Sequence, residues 1–316
     1  YPGIPELQMH TIGEAPFFIG DIPILPIEVW HHKMPVYGFR IGNFTYITDA
    51  NYIEPQEQEK IKGSKIVTAS THQVEPFSMI EVEDNLEIYL EKGEKNEIKI
   101  ESDANLHEVI SLKVINDILI LSTLKEIQGF KKLSVTVTYT SGLNLITTKD
   151  ESAVNAIQEV ILDTITFKAF DKSKLFLNIN AGNFNLLADD KSKIELNLKS
   201  ETSFVELSKN SSLKALINSG ELKCDLYQKS IAIIEGDSDN SIFRIDNLAE
   251  LNAQKLNCKT SDLTVEGKAS CNILVENNLI LNATDNAEIN LYGNPKIEIG
   301  KFAGEAKLFK KLSNKK

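Results

Sequence analysis

Through the second half of the chain, an apolar residue follows a short polar cluster at a near-constant interval. The anchors are Val154 (DESAV), Leu175 (DKSKL), Ile194 (DKSKI), Leu213 (KNSSL), Ala232 (QKSIA), Leu251 (NLAEL), Cys271 (GKASC) and Ile289 (DNAEI), spaced 21, 19, 19, 19, 19, 20 and 18 residues apart. A period near 19 with strand-like content predicts one solenoid coil per repeat. Each coil needs its neighbours to bury its apolar face, so strands pair in parallel with the coils above and below. The expected fold is mostly β, a parallel β-helix with an N-terminal hairpin-rich segment.

The prolines fit this reading. Eight of the nine lie at or before Pro76 and the ninth is Pro295. A continuous ladder needs a backbone N–H at nearly every residue, and Pro has none. The same stretch holds 19 asparagines between residues 151 and 300. Asn tolerates left-handed backbone and can hydrogen-bond along a stack of turns, so Asn180, Asn183, Asn218 and Asn240 are expected as turn residues. Upstream, Ser78–Val82, Leu86–Leu90, Glu97–Glu101, Ser111–Ile115, Ile118–Ser122 and Leu133–Tyr139 alternate apolar and polar residues and read as hairpin-forming strands.

Charge and residue types narrow the function. The net charge is −11, and of 34 basic residues only Arg40 and Arg244 are Arg. A nucleic-acid binder would show a basic face and forked Arg contacts. No apolar run reaches the ~18 residues of a membrane helix. Cys224, Cys258 and Cys271 lack C-x-x-C spacing and read as small buried hydrophobes. No His follows His107, so the coils lack an imidazole base. Asp171, Asp189 and Asp190 sit one coil apart and read as turn carboxylates, with calcium or catalysis as the alternatives. Glu235–Asn240 resembles a calcium loop but lacks the full ligand series and its closing Glu, so it reads as a turn. Phe167, Phe170, Phe176, Phe184, Phe204 and Phe243 read as stacked core residues, with a sugar-stacking strip as the alternative.

The first 66 residues are a different material. Ile22–Val29, Tyr37–Ile41 and Phe44–Thr48 read as strands, the last two flanking a Gly42-Asn43 hairpin turn, and Glu54–Ile61 reads as a short helix. The segments IPIEVWHHKMPVYGFRIGNFTYITDA and EKIKGSKI resemble the metallo-β-lactamase fold hydrolases, in the branch with phosphoribosyl cyclic phosphodiesterases. The resemblance implies that His31 and Asp49 are metal ligands of a dinuclear zinc or manganese centre. The family's H-x-H-x-D-H motif is absent, since no two histidines here are two apart. Two ligands hold a metal weakly. This segment therefore reads as an incomplete, inactive hydrolase fragment with no bound cofactor expected. The chain begins with Tyr1 rather than Met, which fits a fragment.

From residue 67 onward, FSMIEVEDNLEIYLEKGEKNEIKIESDANLHEVI, KKLSVTVTYTSGLNLITT and LYGNPK resemble the head GIN domain, an adhesin family of Bacteroidota. The expected organisation is a partial hydrolase-like segment over 1–66, a hairpin-rich first part over 67–150, solenoid coils over 151–305 and a basic tail over 306–316. The resemblance implies a non-enzymatic interaction module of the cell envelope or surface, binding a glycan or protein ligand. Self-association through the solenoid ends is a further expectation. The alternative is a metal-dependent phosphodiesterase carried by residues 1–66, in the cytoplasm, with its missing ligands supplied from elsewhere.

Overall fold

The computed structural model describes residues 16–31, 34–41, 44–46 and 60–312. The chain divides into two units, Tyr1–Glu59 and Lys60–Lys316. The first holds β1 (Phe17–Ile19), β2 (Ile22–His31), β3 (Met34–Ile41) and β4 (Phe44–Tyr46), joined in that order as an antiparallel sheet. Ile41 stands opposite Phe44, the pairing that a two-residue hairpin loop produces. The helix expected over Glu54–Ile61 lies outside the described residues, except that Lys60 and Ile61 are strand.

The second unit begins with short strands: β5 (Lys60–Lys62), β6 (Val67–Gln73), β7 (Met79–Val82), β8 (Glu87–Lys92), β9 (Glu97–Asp103), β10 (Ile110–Ile115), β11 (Ile118–Thr123), β12 (Glu126–Gln128), β13 (Leu133–Tyr139) and β14 (Leu145–Thr148). Seven long strands follow: β15 (Ala153–Ala169), β16 (Lys174–Ala188), β17 (Lys193–Leu207), β18 (Ser212–Leu226), β19 (Ile231–Ile245), β20 (Glu250–Val265) and β21 (Ser270–Ala283). The chain finishes with β22 (Glu288–Tyr292), β23 (Lys296–Phe302) and β24 (Lys307–Lys310).

Each long strand pairs in parallel with the next. Val154, Leu175, Ile194, Leu213, Ala232, Leu251, Cys271 and Ile289 are successive partners in a single column. The sequence repeat is therefore the ladder register, and the fold is a β-solenoid of about nine turns. The column runs on at each end, through Ile88 to Val135 and to Leu308.

A long strand bends once. In β16 the inward residues are Leu175, Leu177, Ile179 and Ala181, then Phe184, Leu186 and Ala188, so the alternation slips by one residue at Gly182. Since side chains alternate strictly along a strand, the slip marks a corner. The two halves belong to different sheets. The first half of β15 continues into β8, and its second half continues into β14 and then β7. Both sheets turn their inward columns into one core, where the Phe167 and Phe184 rings lie 5.9 Å apart.

The other bend is a tight turn whose sequence is the polar cluster of the repeat. Its second residue has positive φ: Asp150, Asp171, Asp190, Lys209, Gln228, Asn247, Gly267, Asp285 and Gly304. Its fourth is small and buried: Ser152, Ser173, Ser192, Ser211, Ser230, Ala249, Ala269 and Ala287. A larger side chain there would enter the core beside the anchor. None of the Asn residues expected at turns occupies this position: Asn180, Asn183, Asn218 and Asn240 all lie within strands, and the Asn found there is Asn247. Asp is preferred because its carboxylate does more than tolerate left-handed backbone. The Asp150 N–H donates to Asp171 Oδ2 at 3.1 Å, and the Asp171 N–H to Asp190 Oδ2 at 3.4 Å, so each carboxylate caps the coil before it. Asn183 and Asn240 lie in strands instead, accepting from Thr202 Oγ1 (2.7 Å) and Thr260 Oγ1 (2.8 Å) of the next coil.

The N-terminal end of the stack is closed by the excursion between β8 and β14. There β13 pairs with β8 and β11 pairs with β7, and antiparallel strands β9 and β10 flank them. Buried Asp103 ties the closure together. Its carboxylate accepts the N–H groups of Lys65 (2.8 Å) and Lys132 (3.0 Å) and shares that of Lys131.

Candidate interaction surface

An open groove of about 730 Å³ runs across the first-half segments of β16 to β19. The anchor column fixes which side chains reach it. Leu175 points inward, so Phe176 points outward, and the same parity exposes Leu216 and Ile233. Phe176 is 37% exposed and Leu216 47%. Around this apolar floor stand Asn178, Asn197, Glu195, Lys214 and Glu235. Asn197 Nδ2 donates to Asn178 Oδ1 at 2.9 Å. The groove spans the regular rungs between two register shifts, one at Ala156/Val160 and one at Ile233/Glu235. Such irregularities bend and twist a ladder locally.

A second groove, of about 480 Å³, lies over the second-half segments and contains Asn183, Thr202, Phe204, Lys223 and Ile242. The Lys223 ammonium sits 5.0 Å above the Phe204 ring, an attraction between the cation and the ring face.

The six phenylalanines thus divide, and Phe170, expected in the core, is half-buried at the first position of a turn. Phe167, Phe184 and Phe243 are core residues, as expected. Phe176 and Phe204 line the grooves instead, the alternative to the core reading. Counting two residues at a time from the anchor, with the one-residue slip at the corner, would have placed both outward.

The expected turn carboxylates are engaged with their own chain. Lys209 Nζ lies 2.8 Å from Asp189 and 2.7 Å from Asp190. Burial pushes the Asp189 carboxyl up, but bonds from Lys209 and Ser208 outweigh it and leave it below the usual range. Glu235–Asn240 is not a turn but lies inside β19, where Glu235 pairs with Lys255 (2.8 Å), Asp237 accepts from Asn257 (2.9 Å) and Asp239 pairs with Lys259 (2.5 Å). Among the described residues, no group of three or more His, Cys, Asp or Glu side chains could hold a metal. His31 ends β2, but its side chain and all of Asp49 lie outside the described residues. The three cysteines are free and buried, and burial raises all three thiols, Cys258 to about 11. Ser70 Oγ lies 2.9 Å from His107 Nδ1 and 3.0 Å from His72 Nε2. Neither imidazole has a carboxylate hydrogen-bonded to it among the described contacts, so neither is oriented as in a catalytic triad.

A family model described as "Putative auto-transporter adhesin, head GIN domain" matches residues 76–295. Among solved structures, a putative adhesin from Parabacteroides distasonis ATCC 8503 is 15% identical with a TM-score of 0.58, covering 80% of this chain and 100% of that one. A putative adhesin from Parabacteroides merdae ATCC 43184 is 18% identical with a TM-score of 0.52, covering 80% and 99%. A protein titled "Putative lipid binding protein" from Parabacteroides distasonis ATCC 8503 is 13% identical with a TM-score of 0.55, covering 80% and 99%. At these identities the likeness is one of fold. A curated octanoyltransferase from Porphyromonas gingivalis (strain ATCC BAA-308 / W83) is 29% identical over 68 residues, 21% of this chain. The chain spans 14% of that relative's length. None of these matches carries the hydrolase resemblance of residues 1–66.

Proposed function

The chain belongs to the head GIN domain adhesin family, and from that premise we propose that it is a non-enzymatic binding module of the cell surface that holds an extended ligand along its solenoid face. The observation that carries the reading is the groove over β16–β19. An apolar floor of Phe176, Leu216 and Ile233 is bordered by amides and charges repeated from rung to rung. Pockets of this composition bind through apolar contact and gain orientation from a few polar groups. Rungs about 4.8 Å apart present those groups periodically, which suits an elongated glycan or peptide chain better than a compact metabolite. The carboxylates of the coils support the same reading. Those of Asp171, Asp189, Asp190, Glu235, Asp237 and Asp239 are bonded to neighbouring coils, which favours a structural use over proton transfer. No helix of the described residues is long and apolar enough to cross a membrane.

The test is binding of the full chain to arrays of defined oligosaccharides and of extended peptides. Phe176→Ala/Leu216→Ala should lose a wild-type signal by about tenfold or more, since two floor side chains are removed. Equal binding by the variant would move the site elsewhere. Cleavage of an array polysaccharide by the purified protein would overturn the non-enzymatic reading.

A further inference from the structure

The last coil is built like its predecessors, but no further described strand of its own unit lies beyond it. Ile297, Ile299 and Phe302 are partners of Leu279, Leu281 and Ala283 in the inward columns. The earlier three are 0% exposed, whereas Ile297 is 40%, Ile299 56% and Phe302 42% exposed. The backbone tells the same story. The N–H groups of Ala303, Glu305, Lys307 and Lys311 all donate to the preceding coil. Among the described residues of this unit, strands β23 and β24 pair with β21 and β22. Their distal edges therefore present unpaired backbone beside an apolar row, the condition under which sheet edges recruit another strand.

We infer that a second copy of this chain covers this end, edge to edge, in a closed two-fold dimer. The argument is self-complementarity of β23. Placed antiparallel to itself, with the two-fold axis between Ile299 and Gly300, the strand sets Ile297 opposite the partner's Phe302 and Glu298 opposite the partner's Lys301. The columns decide which face each pair occupies. Ile297 and Phe302 continue the inward columns, while Glu298 and Lys301 continue the outward ones through Ile280 and Asn282. Apolar groups thus meet apolar groups inside, and opposite charges meet outside. The register works because of one extra residue at Gly300, where the ladder to β21 shifts between Leu281 and Asn282. A head-to-tail stack would instead set this row on the closed end. There β13 and β11 already cover the inward columns, with Val135, Val137, Leu119 and Leu121 fully buried. The two-fold contact is isologous, so every pair occurs twice.

The inference stands apart from the groove reading, which concerns a different surface. It is tested by sedimentation of the full chain over a concentration series. A monomer–dimer equilibrium is expected. Glu298→Lys and Lys301→Glu should each weaken it by about tenfold or more, because opposite charges become like charges at two symmetric places. The double variant Glu298→Lys/Lys301→Glu should restore it. Circular dichroism of each variant checks that the coils remain folded. A wild-type protein that stays monomeric at every attainable concentration overturns the inference, as does growth into open-ended oligomers, the signature of head-to-tail stacking. Failure of the double variant to recover while its fold is intact overturns the register.

Discussion

The two ends of the coil stack carry the same kind of inward residues and meet different fates. At the N-terminal end Leu119, Leu121, Val135 and Val137 are fully buried beneath antiparallel strands, while at the C-terminal end Ile297, Ile299 and Phe302 stand open. Column membership fixes the direction of a side chain, and only a further rung removes it from water. The sharpest way to break this comparison is a matched pair in one column. Leu281→Ala should cost about 2–5 kcal/mol, the range for a buried large-to-small change that leaves a cavity. Ile299→Ala, one rung later, should cost less than about 1 kcal/mol, since much of its surface is already wet. Denaturant midpoints in dilute solution, below any dimer threshold, give both values. Equal losses would mean that the last rung is covered in the monomer.

The regular and irregular rungs offer a second contrast. From β16 to β18 the partner offset stays at 19 residues, and between β19 and β20 it shifts by one after Ile233. Next to the shift, Gly236 has φ of +115°, and a Cβ there would lie 2.1 Å from the Ile217 carbonyl oxygen. Side chains other than hydrogen are strained in that region whatever the space around them. Gly236→Ala should cost at least about 1–3 kcal/mol from the backbone alone, read as a fall in the denaturant midpoint. If the variant is as stable as the wild type, the shift is a slack point rather than a fixed bend.

The closed end also differs from the coils in its electrostatics. Coil carboxylates such as Asp189, Glu235 and Asp239 pair with lysines nearer the surface, whereas Asp103 is buried and bonded to backbone. Burial pushes its carboxyl up, but the N–H groups of Lys65, Lys132 and Lys131, helped by the Lys65 charge, prevail and hold it below the usual range. A group whose folded pKa is lowered contributes stability above its unfolded pKa and loses it as the pH falls through the folded one. Acidification below about pH 4, the ordinary carboxylate range, should therefore release the closure. Amides of β6, β9 and β13 should gain hydrogen exchange first, ahead of those in β17 and β18. In Asp103→Asn the same amides should exchange faster already at neutral pH. Uniform loss of protection would show that the closure and the coils open together.

Much of this architecture was legible because a solenoid writes its register into its sequence. Each anchor from Val154 to Ile289 is a true ladder partner of the next, and the absence of Pro from Pro76 to Pro295 follows from the ladder. The rung at Ile88 was hidden because 66 residues separate it from Val154, its partner. The intervening excursion pairs antiparallel and follows no 19-residue period. The last rung at Leu308 was missed because no described strand of its unit covers it, so its neighbours no longer need to be apolar. At the candidate surface, composition misled. Six phenylalanines look alike until the anchor parity and the one-residue corner slip divide them between core and groove. The turn chemistry was misassigned to Asn because left-handed tolerance was considered without the carboxylate's ability to cap the preceding coil. His31 and Asp49 stand on a segment where the described residues carry no side-chain geometry for either.

The smallest expected effect separates turns that cap from turns that merely bend. Asp171 and Gln228 occupy the same position with nearly the same φ, +57° and +61°. Asp171 Oδ2 accepts the Asp150 N–H, while no comparable bond from Gln228 is present among the described contacts. At Gln228 a glycine removes the left-handed penalty of about 1–2 kcal/mol and gives back about 0.5–1 kcal/mol in unfolded-chain entropy. Gln228→Gly should therefore stabilise the protein by roughly 0.5–1 kcal/mol. The chain already places Gly267 and Gly304 at this position. Asp171→Gly gains the same relief but leaves the Asp150 N–H without its acceptor, at about 1 kcal/mol, so its net change should be near zero. Parallel thermal melts of the two variants make the comparison. If both are stabilised equally, the stacked carboxylates are idle, and the Asp-rich turns owe their sequence to something other than capping.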